Sequence, residues 1–238
     1  MDILINKRFK MLNREAGLVS ELISSGLENL RKVDRNPSFY YQSFYSLSIG
    51  IERLLKLLTY LDNPKSNLKN FGHEINSLMD NIGLSFPFGS IENKILLFLD
   101  DFNTGKRYCI IDFLLNEKEN YLSDEPIVKF YNDILVEVLS IHPPRKIWSI
   151  PSLDGYARVN QISEDLSEIN SFDDLIFHRQ IINHASKYCA MYIGRILQPI
   201  LEKLIKYDGP PKNPYFNEYF TFLIQPDSYF LKRKTFKS

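Results

Sequence analysis

The residues of this chain best suited to chemistry lie in one short cluster, His178-Arg179-Gln180-Ile181-Ile182-Asn183-His184. Arginine is a permanent, planar cation that binds phosphate through two hydrogen bonds. Histidine titrates near neutral pH and can act as a general base or acid. Together they are the parts that RNA cleavage without a metal requires. Arg and His also occur together on ordinary helix surfaces, so a purely structural role is the alternative.

The spacing of Arg179 and His184 constrains how the two could act. If both lie on one helix, a five-residue separation turns their side chains about 140° apart. One subunit therefore cannot easily aim both at one phosphate, whereas a twofold dimer can place both copies along one cleft. Asn183 lies one turn from Arg179 and could orient the substrate. Gln180 and His178 are further candidate substrate-binding residues.

The elements that must position this cluster are predicted to be helices. Apolar residues recur at three- and four-residue steps, which is typical of amphipathic helices. The long predicted helices cover residues 9–30, 44–61 and 172–207. Shorter helices are predicted at 72–81, after Ser90 and from Pro126, and Pro199 is expected to kink or divide the longest helix. The predicted fold is mainly α, a helical bundle.

Two regions are expected to depart from the bundle. Residues 145–170 have an irregular pattern and are interpreted as an insertion. In the aromatic segment 215–231, the turn residues 225–227 separate two β-prone stretches, which allows a small β-hairpin. We divide the chain into a helical domain over residues 1–207 and an aromatic-rich C-terminal extension over 208–238.

Composition narrows the classes of function. The 238 residues include 29 Lys+Arg and 29 Asp+Glu, so any RNA contact requires a local patch or a groove formed by dimerisation. The chain lacks a signal-like start and a run of about 18 uncharged apolar residues, so we expect a cytoplasmic protein without a membrane partner. The two cysteines, Cys109 and Cys189, are typical of buried thiols in a reducing compartment, with a single disulfide as the alternative.

No metal or cofactor is expected. The sequence has no phosphate-binding glycine loop, no paired-cysteine zinc spacing and no His-Glu-x-x-His motif. His73 lacks the second histidine that a metal site on a helix needs, and we expect its neutral imidazole to bond to backbone. Asp100 and Asp101 point about 100° apart on a helix, so they do not form a two-carboxylate hydrolase site.

Four segments in order resemble the HEPN superfamily of α-helical domains. Residues 44–58 are similar to the second helix of such domains, with its Glu-x-x-x-Lys pattern at Glu52 and Lys56. The segment 71–78, which begins Phe-Gly-His, is similar to the Gly-His start of the following helix. Residues 105–108, Gly-Lys-Arg-Tyr, resemble an Arg-Tyr pair of some members.

The fourth segment is the cluster itself. Arg179 and His184 match the superfamily's motif of Arg, four to six residues, then His, on its last core helix. The resemblance, which covers about residues 5–205, implies a metal-independent endoribonuclease that works as a homodimer in a defence or toxin–antitoxin setting. RNA and an antitoxin or defence protein would then be its partners.

One departure keeps other functions open. Gln180 follows the arginine, where active HEPN ribonucleases usually carry Asn, Asp or His. A catalytically silent HEPN-like module that binds nucleotide, RNA or a partner protein is therefore the alternative. A scaffold within a defence or toxin–antitoxin complex is a third function that fits the same helices.

Overall fold

The described part of the chain is mainly helical and contains no strand, which confirms the predicted all-α class. The computed structural model describes residues 7–36, 38–108, 125–144, 172–209 and 212–236, without the side chains of residues 107 and 172–178. Its helices are α1 (Lys7–Leu30), α2 (Ser38–Asp62), α3 (Ile75–Asn81), α4 (Ile91–Thr104), α5 (Pro126–Phe130), α6 (Val136–Ile141), α7 (Phe172–Ile205), α8 (Phe216–Phe220) and α9 (Asp227–Lys232). Short 3-10 turns cover Leu68–Phe71 and Lys106–Tyr108, and a π-helical turn, Tyr131–Leu135, joins α5 to α6.

Helices α1 and α2 form an antiparallel pair at the centre of the bundle. A Cβ atom on Gly26 would lie 2.6 Å from Cγ of Leu47, so the glycine lets the two helices approach closely. The Ser43 hydroxyl donates to the Gly26 carbonyl at 2.8 Å. Further along, Arg53 donates two hydrogen bonds to Glu15, at 2.9 and 2.7 Å. Positions fall along α1 as they rise along α2, as an antiparallel pair requires.

Two predicted helix starts are confirmed. The Ser90 hydroxyl accepts a hydrogen bond from the Asn93 amide at 3.2 Å and caps α4. Pro126 occupies the first turn of α5, where its missing N–H costs nothing. The buried Glu125 carboxylate caps that helix by accepting from the Val128 amide at 2.8 Å.

Helix α7 is the longest element and crosses the bundle from the candidate cluster to the far end. Its inward face, which includes Ala185, Ile196 and Leu204, is fully buried in the core. The helix runs continuously through Pro199, so the division predicted there does not occur. None of the described helices is long and apolar enough to cross a membrane.

The C-terminal segment is helical, so the β-hairpin expected there is wrong. Phe216 and Phe220, four residues apart, are both buried, which is helical rather than strand periodicity. Phe230 and Phe236 are buried in the same core, and a Cβ on Gly194 of α7 would lie 2.6 Å from the Phe230 ring. Residues 216–236 thus complete the core of the bundle. The irregular insertion predicted near 145–170 lies outside the described residues.

Candidate functional site

The predicted cluster lies in the N-terminal part of α7, where Ile181 is buried in the core and the polar residues lie to one side of it. Arg179 is exposed and forms no hydrogen bond or ion pair with any residue that the structure describes. Gln180 and Asn183 are partly buried. The side chain of His178 lies outside the described part. On one α-helix, Arg179 and His184 diverge by about 140°, and no hydrogen bond joins them within the described chain.

His184 is partly buried, and its hydrogen bonding fixes its tautomer. Its Nε2 atom lies 2.8 Å from the carbonyl oxygen of His142 at the end of α6. A carbonyl oxygen can only accept, so Nε2 must carry the hydrogen. In the neutral ring the lone pair is then on Nδ1, which has no hydrogen-bond partner among the described residues. This arrangement is that of an available base.

Aromatic rings surround the two histidines. The His142 ring stacks on Tyr188, with centroids 4.0 Å apart and planes 9° from parallel. The centroids of His184 and Tyr188 are 5.1 Å apart. The Nε2 atom of His142 lies 2.9 Å from the Tyr192 hydroxyl. The His142, His184, Tyr188 and Tyr192 side chains form one group, here called the histidine cluster.

The ionisation of the histidine cluster follows from this setting. Burial lowers the pKa of His184, and the Lys187 ammonium lowers it further, while the hydrogen bond to the His142 carbonyl acts in the opposite direction. Burial also lowers the pKa of His142, with the charges of Arg195 and His184 adding to the effect. Both imidazoles are therefore neutral at neutral pH, the state in which an imidazole can accept a proton.

An ion pair borders the histidine cluster. The Arg195 guanidinium lies 5.2 Å from the centre of the Tyr192 ring and 2.6 Å from the Asp227 carboxylate of α9. A second carboxylate, Glu92 of α4, is 3.8 Å away. These contacts tie α7 to α4 and α9 beside the cluster. Arg195 is thus already neutralised by these two carboxylates.

A second polar group consists of Glu52, Lys56, His73 and Asn103 and is here called the Glu52 group. It brings together residues 44–58 and 71–78, the first two of the four segments compared above. The buried Glu52 carboxylate accepts from Lys56 at 2.6 Å and from the Asn103 amide at 2.7 Å, and lies 3.2 Å from Nδ1 of His73. The Lys56 ammonium also donates to the Gly72 carbonyl at 2.5 Å. The Glu-x-x-x-Lys pattern and the Gly-His pattern are therefore in direct contact.

The hydrogen bonds of the Glu52 group indicate a structural role. Burial alone would raise the pKa of Glu52, but hydrogen bonds from Lys56, Asn103 and His73 outweigh burial and hold the pKa below its usual value. Asn103, itself buried, also donates to the His73 carbonyl at 2.9 Å. His73 thus bonds to a carboxylate, and the expectation that its ring would bond to backbone is wrong.

The described residues do not offer a metal site or a reactive thiol. They contain no group of three or more His, Cys, Asp or Glu side chains that could hold a metal ion. Cys189 is a free, fully buried thiol whose pKa burial raises. A thiol in that state is a poor nucleophile. Cys109 lies outside the described residues.

Sequence reasoning missed His142 of the histidine cluster and the neighbouring Lys187. His142 was not selected, because its contact with His184 spans 42 positions. Lys187 was not singled out, although it lies three residues after His184 and so on a neighbouring part of the same helix face. The spacing of His184, Tyr188 and Tyr192, at four-residue steps, is the signal that could have revealed the cluster.

Comparisons with known proteins add no relative. No model of a known protein family matches the chain, and no curated protein or solved structure matches it either.

Proposed function

We propose that this protein is a metal-independent endoribonuclease that acts as a homodimer through Arg179 and His184. The observation that carries the proposal is the state of His184. Its Nε2 is held by a backbone carbonyl, its Nδ1 has no partner among the described residues, and its pKa lies below the ordinary value. A neutral, oriented imidazole on an accessible helix face is suited to act as a general base.

In this function, Nδ1 of His184 removes the proton of an RNA 2′-hydroxyl. The 2′-oxygen attacks the adjacent phosphorus, and the bond from phosphorus to the 5′-oxygen breaks. That 5′-oxygen takes a proton from water, and the imidazolium returns its proton to the hydroxide that remains. The products are a 2′,3′-cyclic phosphate and a 5′-hydroxyl end. Proton transfer of this kind contributes about 10²–10⁴-fold to a rate.

Arg179 would bind the phosphate and stabilise the charge of the transition state. Its exposure supports this role, because an exposed guanidinium can reach the phosphate of a bound strand. The divergence of about 140° between Arg179 and His184 favours a site assembled from two chains. Asn183 and Gln180, both partly exposed and close to Arg179 on the helix, are the proposed substrate-binding residues, with His178 as a further candidate.

The biological setting rests on the resemblance to the HEPN superfamily. Contact between the Glu52–Lys56 pattern and the Gly72-His73 pattern supports that resemblance, since two separate sequence signals meet in one polar group. We propose a defence or toxin–antitoxin role, with an antitoxin or a defence protein as partner. We propose a cytoplasmic location on the same grounds.

The decisive experiment measures cleavage of single-stranded RNA by the purified protein in EDTA. Arg179→Ala and His184→Ala are each expected to abolish cleavage while the dimer persists in light scattering. Arg53→Ala is a matched control, because Arg53 is paired with Glu15 on another helix pair and should leave the rate unchanged. Unchanged cleavage in both site variants would refute the assignment.

A mixing experiment tests the shared site. If each site takes its arginine and its histidine from different chains, heterodimers of Arg179→Ala and His184→Ala subunits contain one intact pair. Cleavage should then return on mixing, although neither variant cuts alone. Failure of mixing to restore cleavage, with heterodimers present, would place the pair within one chain.

A catalytically silent RNA-binding module is the second candidate. Gln180 favours it, because active HEPN ribonucleases usually carry Asn, Asp or His next to the arginine, and this chain has glutamine. This function predicts that RNA is retained without turnover and released by salt.

A further inference from the structure

A group of positive charges lies beside the histidine cluster, between α7, the end of α1 and the residues after α9. Arg31 follows α1, Lys187 lies on α7 and Lys234 follows α9. The Nε atom of Arg31 donates to the carbonyl of Arg233 at 3.1 Å, which places its guanidinium next to the backbone that carries Lys234. Arg31, Lys187 and Lys234 are here called the cation group.

The positive charges of the cation group act on one another, and one acid acts on two of them. Arg31 is only 6% exposed, and its Nη1 atom is buried without a hydrogen-bond acceptor. Burial lowers the pKa of Lys187, and the charges of Arg31 and Lys234 lower it further, so all three cations lie within electrostatic range. Within the described residues, Asp34 is the acid that acts on both Arg31 and Lys187.

Neither lysine is used for structure in the part of the chain that is described. Lys234 is exposed and Lys187 is partly buried, and neither forms a hydrogen bond or an ion pair with a described residue. The charges of Arg31 and Lys234 both repel that of Lys187, while Asp34 attracts it. A phosphate supplies the negative charge that such a group lacks.

The position of the cation group relative to His184 suggests which phosphate it would bind. Lys187 lies three residues after His184, so the two side chains are neighbours on the helix surface. Along α7, Arg179, Asn183 and Lys187 follow one another at four-residue steps and form a continuous polar face. An RNA strand bound at Arg179 and His184 could therefore continue over Lys187 towards Lys234.

We infer that Lys187 and Lys234, held beside the buried Arg31, bind a backbone phosphate of single-stranded RNA next to the phosphate that is cleaved. The inference rests on the proposed function and names a substrate contact outside the Arg–His motif. Arg31 serves as a fixed charge that orders the site, and Lys187 and Lys234 make the contact. Because lysine recognises phosphate as a point charge, the site should not select a base sequence.

The test measures RNA binding in the His184→Ala protein, so that turnover does not interfere. The probe is a short, labelled oligouridylate, titrated at several KCl concentrations. Lys187→Gln and Lys234→Ala should each weaken binding at low salt. Each should also reduce the slope of log K against log salt by about 0.7, the value for one phosphate contact on a single strand.

Two further variants sharpen this test. Lys206→Ala removes an exposed lysine near the other end of α7 and should leave affinity and slope unchanged. Lys187→Arg keeps the charge and should restore most of the affinity. Because Lys234 is exposed, its substitution tests the inference without endangering the fold.

Several results would overturn the inference. These are no binding of the oligouridylate, unchanged affinity and slope in both lysine variants, or an equal loss in Lys206→Ala. A free-anion site is the other source of the same chemistry. Inorganic phosphate that binds tightly through Lys187 without displacing the oligouridylate would assign the site to a free anion and overturn the RNA contact.

Failure of the inference can be told apart from failure of the proposed function. RNA that binds with the predicted dependence on Lys187 and Lys234, but is not cleaved by the unmodified protein, would refute the ribonuclease and keep the phosphate site. Cleavage that depends on Arg179 and His184, with KM unchanged in both lysine variants, would refute the site and keep the ribonuclease.

Discussion

Two histidines of this protein, His73 and His184, have hydrogen-bond partners of different chemical kinds. His73 lies against the buried Glu52 carboxylate, which also binds Lys56 and Asn103. His184 lies against a backbone carbonyl and aromatic rings, and no carboxylate bonds to its ring within the described chain. The Nδ1 atom of His73 is committed to a buried carboxylate, while Nδ1 of His184 has no hydrogen-bond partner among the described residues.

The difference shows why residue type alone cannot locate a site. Both histidines have a family-like motif around them, and both are next to lysines or arginines. What separates them is the nature of the partner. The Glu52 carboxylate engages Nδ1 of His73, whereas the His142 carbonyl engages Nε2 of His184 and leaves Nδ1 of that ring without a partner among the described residues.

The largest expected effect concerns cleavage by the proposed ribonuclease. His184→Ala should lower the rate by about 100-fold or more, because it removes the general base. His73→Ala should leave the rate of the folded protein close to that of the original. The measurement is single-turnover cleavage of RNA in EDTA, with circular dichroism to verify that both variants fold. Equal loss of rate in the two folded variants would erase the distinction between the histidines.

The next effect is on stability and concerns the Glu52 group. Glu52→Ala should lower the free energy of unfolding by about 3 kcal/mol, because the Lys56 ammonium and the buried Asn103 amide lose their carboxylate acceptor and keep only the carbonyls of Gly72 and His73. The measurement is urea unfolding at neutral pH.

Glu15→Ala is the matched control for Glu52→Ala. It breaks the Glu15–Arg53 pair, whose side chains are 32% and 38% exposed, and should cost no more than about 1 kcal/mol. If Glu15→Ala lowers the free energy of unfolding as much as Glu52→Ala does, burial of the carboxylate does not explain the contribution of Glu52 to stability.

The contact between α7 and α9 depends instead on a glycine that lets the two helices approach closely. Gly194→Ala should destabilise by about 1–3 kcal/mol, since the new methyl group would meet the buried Phe230 ring at 2.6 Å. Gly17→Ala has room, with its nearest neighbour at 3.7 Å, and should stabilise α1 by about 0.5–1 kcal/mol. Urea midpoints that move in the same direction for the two variants would contradict this account.

The smallest expected effect is the dependence of stability on pH. The histidine cluster and the Glu52 group should affect stability in different pH ranges. Below the ordinary histidine value of 6.5, the unfolded chain takes up protons before His142 and His184 do in the folded chain. Stability should therefore begin to fall as the pH drops through 6.5. The contribution of Glu52, whose folded pKa is depressed, is present above 4.5 and is lost only below it.

Urea unfolding from pH 8 to 4 measures both windows. The double variant His142→Gln with His184→Gln should flatten the decline that begins as the pH drops through 6.5. Glu52→Gln should change the curve below 4.5 instead. A decline near pH 6 that survives in the double histidine variant would place its cause elsewhere in the molecule.

Much of the fold could be predicted from local patterns. Three- and four-residue apolar steps located α1, α2 and α7, because a helix that packs on one side must repeat its buried residues at that interval. The Ser90 cap and Pro126 start were visible for the same reason, since both act within one turn. The C-terminal segment misled because its aromatic residues have high strand propensity, while contacts with α1 and α7 decide its structure.

The site was less accessible to sequence reasoning. Arg179 and His184 could be selected by type and spacing, but the tautomer of His184 depends on a carbonyl that lies 42 residues away. The role of Glu52 likewise depends on Asn103, at a separation of 51 residues. Contacts of this range follow from how the helices pack and leave no periodic trace along the chain.

The burial of Phe236 bears on how the protein is made. Its ring is fully buried among residues from distant parts of the chain, and its backbone amide donates to Glu28 at 3.0 Å. During synthesis the α1–α2 hairpin emerges more than 150 residues earlier and must wait with its apolar faces uncovered. We therefore expect the core to be completed only after Phe236 has left the ribosome. Until then the nascent chain exposes apolar surface to which chaperones can bind.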